Sequence, residues 1–336
     1  MLRNTRLVMI LLLLSTLGLA FISLFWGRYP IPLWTVLRVL ASRLVPIPVD
    51  WLDTVETVIF NVRLPRIVLA MCVGASLSIS GAAFQGMFHN PLVSPDILGV
   101  TAGAGFGAAL AILLSGSGLA IQLSALFFGI LAVALSYVIS RIYRTTPTLM
   151  LVLSGIIVGS IFSALLSLAK YAADPNQKLP AIVFWLMGSL TTVVTEDILM
   201  AGPPIVLGVL GLLLIRWRIN VLSMGDEEAR ALGVKTELLK GIIVVCATAA
   251  TASAVSVCGI IGWVGLVVPH VGRMLVGPDH KVLLPASLLL GAFYLLLIDN
   301  LARTLTSAEI PLSILTALVG APFFAYMLRR TQGGRV

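Results

Sequence analysis

VLSMGDEEARALGV, residues 221–234, lies between two long apolar blocks and holds three consecutive carboxylates, Asp226, Glu227 and Glu228. Leu222, Ala229 and Leu232 recur at near-helical spacing, whereas Asp226, Glu227 and Arg230 fall on other faces. The pattern predicts a short amphipathic helix. Gly225 interrupts it at the start and Gly233 ends it, because glycine accepts the left-handed conformation of a helix C-cap. Carboxylates in the first turn suit the positive end of the helix dipole. An apolar stripe beside an acidic N-terminus fits a groove on another protein. A solvated turn joining two membrane spans explains the same residues, and pattern alone leaves both readings open.

Outside this stretch the chain avoids charge. Of 336 residues, 59% are hydrophobic and only 11% charged, with a mean hydropathy of +1.07. A soluble domain carries roughly 25% charge, so this composition belongs in lipid. The net charge of +8 reads as Lys and Arg gathered in cytoplasmic loops, not as nucleic-acid binding. Cys72, Cys246 and Cys258 lie in apolar segments without CxxC spacing and read as packing residues. The run at residues 7–26, behind Arg3 and Arg6, is span-length and lacks an A-x-A-like site, so it reads as a retained first helix.

Hydropathy predicts ten spans, near 7–26, 64–86, 95–114, 119–140, 148–169, 197–215, 236–257, 258–275, 281–302 and 310–328. An even count puts both termini on one side. Placing that side in the cytoplasm assigns it fourteen of the 22 Lys and Arg residues, as the positive-inside bias requires. Residues 32–45 suit a helix lying on the membrane surface. Three spans carry small residues every fourth position: Gly74-Ser78-Ala82-Gly86, Gly99-Gly103-Gly107-Ala111 and Gly155-Gly159-Ser163-Ser167. Such ladders let helix backbones approach closely in lipid. The third, with Ser154 and Ser160 beside it, equally suits an aqueous path. Span eight, CGIIGWVGLVVPH, is interrupted by glycines and short for a ~30 Å core, which places it inside the bundle.

Several chemistries are missing. There is no GxxxxGK[ST], no HExxH and no GxSxG. His89, His270 and His280 are scattered. Only Asp96 and Asp299 approach mid-membrane, and both sit toward span ends, which argues against ion coupling. An enzyme is not expected.

Three stretches resemble one family. They are RLPRIVLAMCVGASLSISGAAFQGMFHNPLVSPDILGV at residues 63–100, MGDEEARALGV at 224–234, and GIIGWVGLVVPHVGRMLVGPDHKVLLPAS at 259–287 with EIPLSILTALVGAPFF at 309–324. They are similar to the FecCD-type permeases of ABC importers, which carry ferric siderophores, haem, cobalamin and, in some members, molybdate. One departure is His89, where many members have an acidic or basic residue before Asn-Pro.

The resemblance implies an all-α membrane protein of ten transmembrane helices, the type II ABC importer permease fold, as one domain over residues 1–336 with a cytoplasmic coupling loop at 219–235. It implies pairing with a second copy or a close paralogue, two ABC ATPase subunits, and a periplasmic or surface-anchored substrate-binding protein. The ATPase contact falls on Met224, Gly225, Asp226, Glu227, Glu228, Ala229, Arg230, Leu232 and Gly233, with Ala229 expected at a close contact. ATP and Mg belong to the ATPase chains, so no cofactor is expected here, and no nucleic acid. The binding protein docks at Arg63, Arg66 and Arg303. Those arginines oppose the positive-inside bias, and lipid snorkelling or pairing with Asp53 or Glu56 accounts for them equally. The gate falls on Asn90, Pro91, Thr146, Thr148 and Leu149, although Pro91 and Pro147 also suit helix starts. Gly155, Gly159 and Ser163 line the pathway. The expected site is the inner membrane with both termini cytoplasmic. The expected cargo is a metal chelate, the alternative a molybdate or tungstate oxyanion, and the distant alternative an ion-coupled secondary transporter.

Overall fold

The structure is a computed structural model and describes residues 5–46, 48–142 and 148–333, with side chains as far as Tyr326. All regular elements among the described residues are helical. In order they are α1 (Thr5–Phe25), α2 (Leu33–Ser42), α3 (Asp53–Thr57), α4 (Leu64–Met87), α5 (Val100–Leu114), α6 (Gly118–Ser140), α7 (Thr148–Tyr171), α8 (Lys178–Leu186), α9 (Thr195–Leu222), α10 (Asp226–Ala231), α11 (Thr236–Cys258), α12 (Val264–Val276), α13 (His280–Thr304) and α14 (Leu312–Gly333). A π-helical turn, Val58–Arg63, joins α3 to α4, so the chain runs helically from Asp53 to Met87.

Helix α4 is the axis of the bundle, packed against α13, α11, α9 and α12. Its contacts are made backbone to backbone. A Cβ at Gly74 would stand 2.1 Å from the Gly291 carbonyl oxygen of α13, and one at Gly81 1.9 Å from the Gly265 oxygen of α12. In lipid no hydrophobic force draws helices together, so this closeness supplies the dispersion that holds them. The second ladder does the same for α5 and α6: Gly103 meets the Phe128 carbonyl and Gly107 the Ser124 carbonyl, while Ser124 Oγ donates to Gly107 O at 2.7 Å.

Among the described residues, seven helices are long and apolar enough to cross a membrane: α1, the Asp53–Met87 run, α6, α7, α9, α11 and α13. Length and apolarity alone do not reach the expected count of ten. The segments at 95–114 and 258–275 form α5 and α12, which are shorter, and the segment at 310–328 falls on α14, whose described apolar part runs from Leu312 to Tyr326. The 15 residues of α5 rise only about 22 Å. The reason is local. A 3-10 turn at Pro95–Leu98 and Gly99 at φ +84° use up the start of the first segment. In the second, residues 259–263 are non-helical, with Gly259 at φ +73° and Trp263 at φ +71°. As expected, α12 is largely enclosed, and non-helical backbone at that depth survives because protein surrounds it.

The surface helix expected at 32–45 is α2. Its inner face is Val36 and Val39, both fully buried, whereas Leu33 and Leu37 remain exposed. Arg38 pairs with Asp50 and Arg43 with Glu56, so Glu56 is already taken and does not partner Arg63 or Arg66.

Candidate functional site

The acidic stretch forms α10, a helix of six residues with glycine at both ends. Gly225 is its N-cap at φ +136°, a conformation that disfavours any side chain, and the Glu228 carboxylate folds back over it. At the other end the Gly233 amide donates to Arg230 O at 2.9 Å and the Val234 amide to Ala229 O at 3.0 Å, with Gly233 at φ +80°. That pair of bonds is a Schellman cap. The geometry separates the nine expected contact residues. Ala229 is fully buried among Ile219, Leu222, Leu239 and Ile243 of its own chain. It is therefore a packing residue and not a surface for a partner. Met224 and Leu232, each 64% exposed, stand outside with Glu227, Glu228, Arg230 and Gly233, while Asp226 is half-buried.

Side chains outside the stretch hold this helix still. Lys240, fully buried near the start of α11, donates from Nζ to Asp226 Oδ2 at 2.5 Å. Arg230 Nε donates to Thr236 Oγ1 at 3.0 Å, and its guanidinium lies 3.4 Å from Glu237. His89, at φ +53° just past α4, donates from Nε2 to the Leu222 carbonyl at 2.6 Å. The loop is thus joined to α4, α9 and α11 by polar bonds. Sequence reading missed Lys240 entirely. Its signal was a lone lysine inside an apolar run, one turn after Thr236, which needs an anion within reach.

At the far end of α4, about 30 Å away along the helix, lie the three arginines expected to dock a binding protein. All are buried: Arg63 4%, Arg66 7% and Arg303 7% exposed. Arg66 lies between two carboxylates. Its Nε meets both Asp299 oxygens at 3.0 Å, and its Nη1 and Nη2 donate to Glu309 at 3.0 and 2.8 Å. Thr191 Oγ1 donates to the same Glu309 at 2.7 Å. Arg63 donates to the Leu24 and Tyr29 carbonyls, and Arg303 to Ser23 O and Asn300 Oδ1. Ser23 and Leu24 close α1, whose C-terminal carbonyls carry partial negative charge that a cation satisfies. These guanidinium groups are therefore committed within the chain. They explain the arginines on this side without a partner and leave little surface for one. Burial raises the Glu309 pKa, but the Arg66 hydrogen bonds and charge outweigh it and hold Glu309 below the ordinary carboxylate value.

The expected gate and pathway residues divide as well. Asn90 and Pro91 are exposed, and Asn90 Oδ1 accepts from the Leu92 amide at 2.9 Å, a local turn. Thr148 opens α7 and is half-buried, Leu149 is exposed, and Thr146 lies outside the described residues. Gly155 and Gly159 do not face an open path. A Cβ at Gly155 would stand 2.0 Å from Ile97 O, and Gly159 lies over Gly99. Ser163 is exposed beside Ser160 and Ser167, whose hydroxyls donate to their own helix at 2.7 and 2.9 Å. The rest of the exposed face of α7 is apolar, through Leu153, Ile156, Ile157, Ile161 and Leu168.

Known proteins are similar to this chain in sequence and fold. The pattern of the FecCD transport family matches residues 11–330. The molybdate import system permease MolB of Haemophilus influenzae is 45% identical over 94% of this chain and 93% of its own. A probable iron chelatin transport system permease of Helicobacter pylori is 44% identical over 84% and 85%. A solved structure, described as an inward-facing conformation of a metal-chelate type ABC transporter, superposes with a TM-score of 0.86 at 44% identity, covering 96% of this chain and 99% of that one. A multi-span helical bundle with an outward-turned acidic loop therefore has a family: the chain belongs to the FecCD transport family and is a membrane permease of the ABC-importer type.

Proposed function

We propose that this chain forms half of the translocation unit of an ATP-driven importer and moves a metal-bearing solute into the cytoplasm. The observation that carries the reading is the α10 loop. It is pinned by Lys240 and capped at both ends, yet it turns Met224, Glu227, Glu228, Arg230 and Leu232 outward. A rigid amphipathic projection of that kind fits a groove on a partner and can pass on its movement. The partner is a separate ATPase chain that supplies ATP and Mg; two such chains serve two copies of the permease, or one copy and a close paralogue. The α10 side faces the cytoplasm together with both termini, and α5, α12 and α14 complete ten spans with the seven longer helices. A substrate-binding protein docks at the opposite end, where Arg63, Arg66 and Arg303 hold the shape of the docking face. Asn90, Pro91, Thr148 and Leu149 close the pathway on the α10 side.

The solute class follows from α7. Its exposed face is apolar with self-satisfied serines, so it binds nothing tightly and lets a bulky metal chelate keep moving. A second reading, molybdate, is favoured by the 45% identity with the Haemophilus influenzae molybdate permease. The test is reconstitution of the permease with its ATPase and binding protein in liposomes. Uptake of iron chelate, haem, cobalamin and molybdate is followed by metal analysis with and without ATP. Uptake that needs both ATP and the binding protein supports the proposal. Uptake driven by an ion gradient alone overturns it.

A further inference from the structure

Helices α6 and α11 touch closely at one level and part below it. Gly129 of α6 lies over Ala252 of α11, at 3.6 Å from a Cβ built on the glycine. Toward the α10 loop the two helices enclose an open groove of about 890 Å³, from Ile130 to Arg141 on one side and from Glu237 to Ala249 on the other. The ring of Tyr137 bridges it at Gly241. The walls are almost wholly apolar, including Ala134, Val138 and Val245.

Three observations name the occupant. Both walls belong to helices that cross the membrane by length and apolarity, so the groove opens sideways into lipid. Its length, eleven residues of α6, is about 16 Å, which is half of a ~30 Å hydrocarbon core and thus one leaflet. Its charged groups, Arg141 and Glu237, gather at the loop end alone. There the Arg141 guanidinium lies over the Tyr137 ring at 5.6 Å; among the described residues it has no carboxylate partner. Glu237, the acid at this mouth, is held by Arg230. Among the described residues the mouth therefore keeps one net positive charge.

We infer that this groove is a binding site for an anionic phospholipid of the leaflet on the α10 side, with acyl chain between α6 and α11 and phosphate at Arg141. Basic pockets between membrane helices on the cytoplasmic side recognise acidic headgroups in this manner. The site adjoins the coupling loop through the Glu237–Arg230 pair, so its occupancy stiffens the start of α11. Only the naming of the leaflet as cytoplasmic rests on the proposed function.

The test uses the intact permease, assembled with its ATPase, in mild detergent. Native mass spectrometry counts the phosphatidylglycerol and chain-matched phosphatidylcholine retained from an equimolar mixture. Native protein is expected to retain phosphatidylglycerol with roughly fivefold preference, the equivalent of ~1 kcal/mol for one arginine at a headgroup. Arg141→Gln is expected to abolish the preference while retaining lipid. Ala134→Phe and, as a second filling variant, Val138→Phe are expected to lose both lipids while eluting as folded assemblies. Equal retention of the two lipids by native protein, an unchanged preference in Arg141→Gln, or undiminished retention in both filling variants means ordinary annular lipid and overturns the inference. ATP-driven uptake is scored separately, so its failure counts against the importer reading and not against this site.

Discussion

Ala229 is fully buried against α9 and α11, while Leu232, three residues on, is 64% exposed. A change at each therefore reports on a different property. Ala229→Leu overfills a packed site at a cost of about 1–3 kcal/mol, and is expected to lower the unfolding temperature of the isolated permease in detergent. Leu232→Asp is expected to leave that temperature unchanged and to weaken co-purification of the ATPase. Asp226→Asn removes the carboxylate from buried Lys240, and weakening a buried charged hydrogen bond costs on the order of 1–3 kcal/mol; the expected result is a less stable protein with ATP hydrolysis uncoupled from uptake. At the other end Glu309 supplies a pH test. Its pKa is held below the ordinary value, so its contribution is complete above ~4.5 and is lost as pH falls through the folded-state value. Thermal unfolding between pH 6 and pH 3 should show an acid-side fall that is smaller in Glu309→Gln. None of these partnerships could be read from the sequence. Arg66 stands near Asp53 and Glu56 in the chain, but it meets Asp299 and Glu309, 233 and 243 residues away. Local spacing carries no information about which distant carboxylate folds back.

The small-residue ladders were legible because their period is set by the helix itself. What the pattern could not supply was the partner: Gly74 meets Gly291, and Gly81, outside the written ladder, meets Gly265. Gly74→Val pushes a branched side chain into a carbonyl that cannot move without α13. It should abolish or strongly reduce the yield of folded permease, scored by size-exclusion profile. Gly262→Ala, where nothing lies within 4 Å of the added carbon, should be silent in the same assay. The third ladder shows the limit of the method, since one stripe of α7 does two jobs. Gly155 and Gly159 pack on the backbone near Ile97 and Gly99, while Ser163 and Ser167 remain exposed. Hydropathy located α5, α12 and α14 but overstated the length of α5 and α12, because an apolar count does not register a 3-10 turn or a left-handed glycine. The π-helical turn before α4 had no signature at all.

For the whole molecule, the proposed pairing would set a second copy across the exposed apolar face of α7. Cysteines at Thr148 in both copies should crosslink in one nucleotide state of the ATPase and not in the other; crosslinking independent of nucleotide would count against a gate there. The broad architecture was legible, since a chain with 11% charge has few ways to satisfy its backbone except as a helical bundle in lipid. The Arg66 contacts carry a consequence for how the protein is made. Arg66 enters the membrane with α4, early in synthesis, but Asp299 and Glu309 leave the ribosome more than 230 residues later. Until then a guanidinium waits in or beside hydrocarbon, where a lone arginine costs up to ~3 kcal/mol at mid-bilayer and less near the interface. The last helical hairpin is thus the element that neutralises a charge buried at the start of α4. Chains truncated before residue 299 should be inserted yet recognised by membrane quality-control proteases, and pulse-chase lifetimes should rise sharply once the nascent chain includes Glu309.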